Sequence, residues 1–516
     1  MSGEDPGRGT DAGDAADVNS RESDAADVVR RERFSGGPAR GFLSSLAADE
    51  RIFEADLAVD RAHVVMLAEQ GIIDEGSARE ILDALAEIES AGHGALPDGE
   101  DVHAAIETAV VDRVGEVGGR MHTARSRNDE VATCLRYRLR EDLLDAAEQV
   151  LELREVLCEV ADEHAETVMP GFTHLQPAQP TTVGHYLLSY ESALRRETDR
   201  LLDAHDRTNR SPLGAAAFAG TTFDVDRERT ADLLGFDGVI ENSMDAASAR
   251  DFLVESTAAV ASLATGLSGI AEDLVVFSNK GLVELDDDYA STSSIMPQKV
   301  NPDTMELVRA TAGDAAAGLN GLLTTLKGLP RAYNRDLQRA HGHAFDAVDA
   351  VTEAAAVVAG AVATARWPEA ALARAAGEGF STATGVADLL AAAGVPFRTA
   401  HELVALAAQG GADRTSGEAV DADGAADYAA LDAAAREVLG EPLEARVDAD
   451  AVEAALDPAE SVAARDSFGG PAPDALREAL ERATADHAAD ADALAARRAD
   501  LASATDRLDR EVSRRV

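Results

Sequence analysis

The longest stretch of the chain without glycine or proline runs from residue 120 to residue 169. Within it, apolar residues recur at helical spacing, for example at Val131, Leu135, Leu139 and Leu143. This pattern predicts one helix of around 40 residues, which at 1.5 Å per residue would be roughly 60 Å long. Because a small domain cannot bury a helix of that length, the chain is expected to form a long-helix bundle shared between subunits.

Four more long helices are predicted downstream, starting near Thr181 and at about residues 246, 302 and 338. The chain is rich in alanine and only 4% aromatic, which also favours an all-α fold. We expect a central long-helix bundle flanked by small helical N- and C-terminal domains. The predicted divisions are a disordered acidic extension (1–32), an N-terminal helical domain (33–125), the central bundle (126–366) and a C-terminal helical domain with an extended tail (367–516).

The chain has 95 acidic and 47 basic residues, a formal net charge of −48. Such acidity argues against binding to nucleic acid or anionic membranes, and it favours a halophilic cytoplasm in which salt screens self-repulsion. No run approaches 18 apolar residues and no hydrophobic signal region opens the chain, so we expect a cytoplasmic protein with no membrane segment. The two cysteines, Cys134 and Cys158, are predicted to be reduced core residues.

A polar loop from Ser293 to Asp303 leads into one of the predicted helices. Asn301 suits the N-cap and Pro302 the first helical position, so the positive end of the helix dipole should face the loop. That loop contains Lys299, one of only three lysines in the chain. A decorated turn is the alternative interpretation, but the scarcity of lysine favours a site that holds a carboxylate.

Three further segments combine polar groups with breaks in helical periodicity. Residues 118–129 hold three arginines and Asn128, which suggests either an anion-binding wall or a helix start with solvated charges. Residues 170–180 contain Thr173 and His174 in a proline-bounded break, where side chains can face a cavity. Residues 328–338 contain Tyr333 and Gln338. The chain has no glycine-rich phosphate motif, metal-spaced Cys/His cluster or nucleophile elbow, so no cofactor and no metal are expected.

These four segments resemble the motifs of the fumarase/aspartase superfamily, and in particular those of argininosuccinate lyases. The resemblance covers roughly residues 40 to 475. Two positions depart from the family pattern. Thr292 stands where the family usually has glycine, and His341 stands where it often has a substrate-binding lysine, a contact that Arg339 could replace.

The resemblance implies a homotetramer with a 20-helix core, whose active sites combine motifs from three subunits. It implies cleavage of argininosuccinate to arginine and fumarate in arginine biosynthesis, with catalytic residues His174, Ser293, Lys299 and Glu306. The implied substrate-binding residues are Ser45, Asn128, Thr173, Asn301, Tyr333 and Gln338. Which of Ser293 and His174 is the base and which is the acid stays open.

Two alternatives follow from the same motifs. Another fumarate-releasing lyase of the superfamily, acting on adenylosuccinate, aspartate or malate, would share the fold and the loop. A non-catalytic, crystallin-like structural protein would share the fold alone. Gln298 and the Arg-Ser-Arg-Asn-Asp segment favour argininosuccinate, and the joint presence of the four catalytic residues argues against a structural role.

Overall fold

The computed structural model describes residues 38–410 and 427–516, and the predicted extension 1–32 lies outside them. The all-α fold is confirmed. The helices are α1 Pro38–Leu43, α2 Phe53–Glu69, α3 Glu75–Ala91, α4 Val102–Val114, α5 Arg127–Glu163, α6 Val183–Thr208, α7 Arg227–Leu234, α8 Ser243–Ser248, α9 Asp251–Lys280, α10 Asp303–Leu326, α11 Ala340–Thr364, α12 Glu369–Gly377, α13 Ala383–Ala392, α14 Phe397–Gly410, α15 Tyr428–Val438, α16 Ala449–Leu456, α17 Pro458–Ala463 and α18 Pro473–Ser513. Two antiparallel strand pairs accompany them: β1 Val168–Thr173 with β2 Gln176–Thr182, and β3 Ser291–Thr292 with β4 Val300–Asn301.

The long helix predicted from the uninterrupted stretch is α5, with 37 residues. Ser126 and Asp129 form a capping box at its start. The Ser126 hydroxyl accepts from the backbone of the first turn, and the Asp129 carboxylate accepts from the Ser126 backbone N–H. Because this cap satisfies backbone N–H groups that have no partner within the helix, the start of α5 is fixed in position. Asn128 lies in this first turn.

The other four predicted long helices are α6, α9, α10 and α11, and they begin and end within a few residues of the expected positions. α5 packs against α6 and α11, while α9 packs against α6, α10 and α11. Their buried faces belong to one hydrophobic core that also includes α2 and α3. This core brings the N-terminal segment and the bundle together.

A second, smaller core lies between residues 380 and 452, built from α13 to α16. The 41-residue α18 leaves this unit and packs against α2, α5, α6 and α7, and its buried residues Leu476, Leu494 and Leu508 belong to the main core. The domain boundaries drawn from the sequence stay a prediction. α18 is close in sequence to the small core, but it packs on the large one.

Strands β1 and β2 form a hairpin between α5 and α6, where the sequence predicted only a break. Pro170 pairs with Pro180, and Phe172 pairs with Pro177. Proline cannot donate to a strand ladder, so three prolines in thirteen residues conceal a hairpin from pattern analysis.

Two helical segments, Asp251–Lys280 and Arg335–Thr364, are long and apolar enough to cross a membrane by length and composition alone. Both pack inside the bundle, and core helices of soluble proteins pass the same test. Packing within the chain buries 44% and 50% of their most apolar windows.

Candidate active site

A cavity of about 190 Å³ opens between the N-terminal segment, the first turn of α5 and the segment that precedes α11. Four of the six predicted substrate-binding residues line it, together with acids, arginines and histidines that the prediction did not include. The lining comprises Ser45, Asp49, Ile52, Asp101, His103, Arg127, Asn128, Val131, Tyr333, Arg335, Leu337, Gln338 and His341. The structure thus brings Ser45, Asn128, Tyr333 and Gln338 together from segments up to about 290 residues apart.

Tyr333 and Gln338 lie in the connection between α10 and α11. Ala332 has a φ of +72°, an uncommon conformation for a residue with a side chain, and it directly precedes Tyr333. Gln338 donates from Nε2 to the Leu43 carbonyl oxygen at 2.9 Å, and its Oε1 accepts from Arg335 at 3.3 Å. These contacts fix the connection against the start of the folded chain.

Ser45 and Asn128 also line the cavity. The Ser45 hydroxyl donates to the Asp49 carboxylate at 2.7 Å, and the same carboxylate oxygen accepts from the Val102 backbone at 3.2 Å. Burial is the largest influence on Asp49 and raises its pKa. Asn128 donates from Nδ2 to the Ala217 carbonyl oxygen at 3.0 Å. Each side chain is therefore oriented by a protein partner before any ligand arrives.

Behind the cavity lies a buried cluster of charged residues. His103 Nδ1 is 2.8 Å from Asp56 Oδ1, and Arg125 bridges Asp60 at 2.5 Å and Glu130 at 2.9 Å. Burial opposes protonation of His103, but the Asp56 and Glu130 carboxylates outweigh it and raise the pKa to about 10. His103 is therefore a cation at neutral pH, and it forms part of the cavity wall.

The same cluster accounts for the two sets of side chains that are close enough to hold a metal ion in the described part of the chain. These sets are Asp56–His103–Cys134 and Asp56–Asp60–Glu130. The three acids of these sets are already paired with two bases: Asp56 with His103, and Asp60 and Glu130 with Arg125. Cys134 and Cys158 are free and buried, as predicted.

The three arginines of residues 118–129 do not form one anion-binding wall. Arg120 is half-exposed and pairs with Asp74 at 2.7 Å, and Arg125 belongs to the buried cluster. Only Arg127 reaches the cavity, where it lies 3.3 Å from Asp101. The side chains diverge because Arg120 and Arg125 precede the N-cap of α5 at Ser126, and only Arg127 lies on the helix.

His341 contributes an unusual group to the cavity. Its side chain is nine-tenths buried, and Nδ1 has no hydrogen-bond partner among the described residues. Burial, followed by the positive charges of Arg250 and His103, lowers the pKa of His341 to about 4. His341 is therefore a neutral imidazole, whereas the lysine often found at this position would bring a charge.

The loop from Ser293 to Lys299 is closed at its base by β3 and β4. Ser291 pairs with Asn301, and the Ser291 hydroxyl donates to the Asp303 carboxylate. The expected N-cap role of Asn301 was wrong: Asn301 lies in β4, and α10 begins at Asp303 after Pro302. The ladder to Ser291 holds Asn301 one position too early to cap the helix.

Within this loop, Ser293 Oγ accepts from the backbone N–H of Met296 at 3.1 Å and of Ile295 at 3.4 Å. The Ser293 backbone N–H donates to the Lys299 carbonyl oxygen at 3.0 Å. Two N–H groups directed at one hydroxyl oxygen would stabilise negative charge on it. The Lys299 side chain is exposed, and Ile295 is 82% exposed.

The tip of the β1–β2 hairpin presents Thr173 and His174. His174 and Leu175 have φ values of +55° and +59°, which is the backbone of a two-residue type I′ turn. Such turns favour asparagine and glycine, so a histidine here is held in a costly conformation of the kind found at functional sites. Both Thr173 and His174 are exposed.

The predicted residues therefore fall into two groups. Ser45, Asn128, Tyr333 and Gln338 meet at the cavity, whereas Thr173, His174, Ser293, Lys299, Asn301 and Glu306 do not line it. Glu306 lies in the first turn of α10. It is predicted to orient His174, and both side chains are exposed. Among cavity residues, Asp49 and Arg335 carried no sequence signal, because acids and arginines are common throughout this chain. His103 also lines the cavity and is not among the predicted site residues.

Comparison with known proteins identifies the family. A lyase family model matches residues 41–316, and a model of the argininosuccinate lyase C-terminal region matches residues 380–463, the segment of the small core. An argininosuccinate lyase from the halophilic archaeon Natronomonas pharaonis is 73% identical over 94% of this chain and 96% of its own length. The chain belongs to the argininosuccinate lyase family. Another family member, from Haloarcula marismortui, is 68% identical over 95% of this chain and 96% of its own.

A solved structure gives the same result for the fold. An EDDS lyase variant with bound fumarate superimposes with a TM-score of 0.81 at 32% identity, covering 95% of this chain and 98% of that one. The fold is therefore that of the fumarase/aspartase superfamily, as the sequence motifs implied.

Proposed function

We propose that this chain is an argininosuccinate lyase that cleaves argininosuccinate to arginine and fumarate in the cytoplasm of a halophile. The observation that carries the proposal is the 73% identity over nearly the whole chain to a relative of that name, together with the matching C-terminal region. The cavity supports it, since its mixture of acids, arginines, amides and hydroxyls suits a zwitterionic amino-acid group.

The reaction removes a proton from the succinyl carbon next to a carboxylate, breaks the carbon–nitrogen bond and protonates the guanidino nitrogen. In our proposal Ser293 handles the carbon proton, supported by the two loop N–H groups directed at its oxygen. Lys299 stabilises the carboxylate as it gains negative charge. His174, oriented by Glu306, exchanges the proton at nitrogen. Proton transfer and charge stabilisation complete the chemistry, so no cofactor is required.

The active form is proposed to be a homotetramer with shared sites. The cavity of about 190 Å³ is smaller than the roughly 300 Å³ typical of small-molecule sites, which supports a site that one chain supplies only in part. His174, Lys299 and Glu306 are exposed and would complete it from other subunits. α10 buries only Met305, Val308, Ala315 and Leu322 and leaves Leu307 71% exposed, as expected of a helix that packs against another copy.

Fumarate release tests the reaction. The protein in molar salt should release fumarate from argininosuccinate and not from adenylosuccinate, aspartate or malate. Faster release from one of those substrates would assign the chain to another lyase of the superfamily. Absence of release from all four would favour a structural protein.

Mixing two impaired variants tests the shared site. If Ser293 and Asn128 act in one site from different chains, refolding Ser293→Ala with Asn128→Ala subunits together should restore part of the activity that each variant lacks alone. Some mixed sites then contain both native residues. No recovery in a mixture shown to contain hybrid tetramers would contradict sites built from several subunits.

A further inference from the structure

Asp129, next to Asn128 in the first turn of α5, is a fully buried carboxylate with partners outside its own helix. One oxygen, Oδ1, accepts from the Ser126 backbone at 3.0 Å and completes the helix cap. The other, Oδ2, accepts from the backbone N–H groups of Gly214 at 2.9 Å and Ala216 at 2.8 Å. The bonds from Gly214 and Ala216 to Oδ2 are not part of the α5 cap. They connect Asp129 to a distant segment of the chain.

The segment that Asp129 contacts comprises residues 214–217. Gly214 has a φ of +83°, and a Cβ there would lie 2.6 Å from Arg227 Cγ. Ala216 has a φ of +53°, which is unfavourable for alanine. Bonds from both N–H groups to one buried carboxylate offset this cost. Asp129 therefore sets the path of the chain up to the Ala217 carbonyl group.

The Ala217 carbonyl oxygen in turn fixes the side chain of Asn128. It accepts from Asn128 at 3.0 Å, and a carbonyl oxygen can only accept, so the amide nitrogen must face it. The amide oxygen, Oδ1, then points away from Ala217. Asn128 lines the cavity with two acids, Asp49 and Asp101, and with the cations His103, Arg127 and Arg335. Within this mixed lining, Asn128 Oδ1 can only accept a hydrogen bond.

We propose that Asp129 is a positioning residue, which acts through residues 214–217 to hold Asn128 with its Oδ1 directed at a cationic N–H group of the substrate. The inference rests on the proposed function. Argininosuccinate carries such donors in its ammonium and guanidinium groups, at the amino-acid end that leaves as arginine. A carboxylate of the succinyl end cannot bond to Oδ1, because both groups are acceptors.

The two products separate the two ends of the substrate. Calorimetric titration of the intact enzyme in molar salt should show that Asp129→Asn weakens binding of arginine by about tenfold or more, the loss expected for one hydrogen bond to a charged group. Fumarate binding should be unchanged. In turnover, KM for argininosuccinate should rise more than kcat falls.

Two further variants distinguish positioning from a general effect on folding. Ser126→Ala removes the helix cap but keeps the bonds of Asp129 to Gly214 and Ala216, so it should lower thermal stability and leave arginine affinity unchanged. Asn128→Ala should weaken arginine binding, and Asp129→Asn added to it should have no further effect, since Asp129 acts through Asn128.

Several outcomes would overturn the proposal: additive losses in the double variant, equal losses of arginine and fumarate binding, or native arginine affinity in Asp129→Asn. The titrations do not depend on turnover. A wild-type enzyme that binds arginine but does not cleave argininosuccinate would refute the proposed function alone, and one that binds neither product would refute both.

Discussion

The cavity and the two exposed segments that carry the proposed proton-transfer groups are built in opposite ways. Around the cavity, Ser45, Asn128 and Gln338 each hold a hydrogen bond to the protein at 3.0 Å or less. On the hairpin and the 293–299 loop, His174 and Lys299 project from turns into solvent. One chain therefore orients the cavity residues by itself, while the exposed groups for chemistry are free to meet another subunit of the proposed tetramer.

The difference has an energetic reason. A polar group that is buried without a partner costs about 1–3 kcal/mol, which favours pairing of the buried cavity residues within the chain. Exposed groups bear no such cost until a partner covers them, so a single chain can fold while its catalytic side chains stay hydrated. Assembly would then remove water from those groups and complete the site at the same time.

The largest expected effect comes from Ser293→Ala on the exposed side. It should lower kcat by at least ~10², the lower range for a lost acid–base group, while KM changes little. On the cavity side, Asn128→Ala should instead raise KM with a smaller loss of kcat. Steady-state kinetics of both variants on argininosuccinate measure this contrast. A Ser293→Ala enzyme with near-native kcat would show that another group moves the proton.

Leu307→Asp should have the next largest effect if α10 packs against another copy. Leu307 is 71% exposed, so a charge there costs an isolated chain little, whereas a charge buried at an interface is costly. We expect loss of the tetramer and at least a tenfold loss of activity, measured by sedimentation and turnover. Ala489→Asp, at an exposed position of α18, is the control. A tetrameric, active Leu307→Asp protein would remove α10 from the interface.

The contrast between the two regions also separates what the sequence predicts well from what it does not. The five long helices follow from apolar periodicity and from stops such as Gly281, which has a φ of +70° at the end of α9. These are local signals that tertiary contacts reinforce. The β1–β2 hairpin is missed because Pro170, Pro177 and Pro180 argue against strands, although edge positions tolerate them.

The candidate site divides in the same way. Tyr333 and Gln338 belong to a motif whose spacing is visible in sequence, and both reach the cavity. Asp49 and Arg335 reach it too, but a single acid or arginine in a highly charged chain gives no local signal. Residues that only meet after folding, such as Asp129 and Ala216, are beyond any analysis of spacing.

Removal of salt should affect the exposed regions before the cavity. A chain with a net charge of −48 repels its own copies and a carboxylate-rich substrate, and molar salt screens both effects. Dialysis to dilute buffer should dissociate the proposed tetramer and reduce turnover while helical content persists. Sedimentation measures assembly, an activity assay measures turnover, and circular dichroism measures helical content. Unchanged assembly and turnover in dilute buffer would contradict this expectation.

Alkaline pH should instead weaken the cluster behind the cavity. The pKa of His103 is raised to about 10 from an unfolded value near 6.5, so protonation of His103 stabilises the folded state most below 6.5. That stabilisation is lost as pH rises towards 10. Thermal melting in molar salt should show a falling Tm between about pH 6.5 and 10, and His103→Gln should have a lower Tm with a weaker slope. A parallel slope in both proteins would assign the alkaline loss to other groups.

The smallest expected effects are those of replacing His341, inside the cavity, by alanine or by glutamine. With a pKa lowered to about 4, His341 is neutral across the working range and offers a ligand one uncharged hydrogen bond through Nδ1. Such a bond contributes about 0.5–1.5 kcal/mol, so replacement by alanine should raise KM roughly two- to tenfold, and glutamine should restore part of it. Because no charge is involved, the ratio of variant to wild-type KM should stay constant between pH 6 and 8 and between low and high molar salt. A ratio that varies with pH or salt would show that His341 binds substrate as a cation.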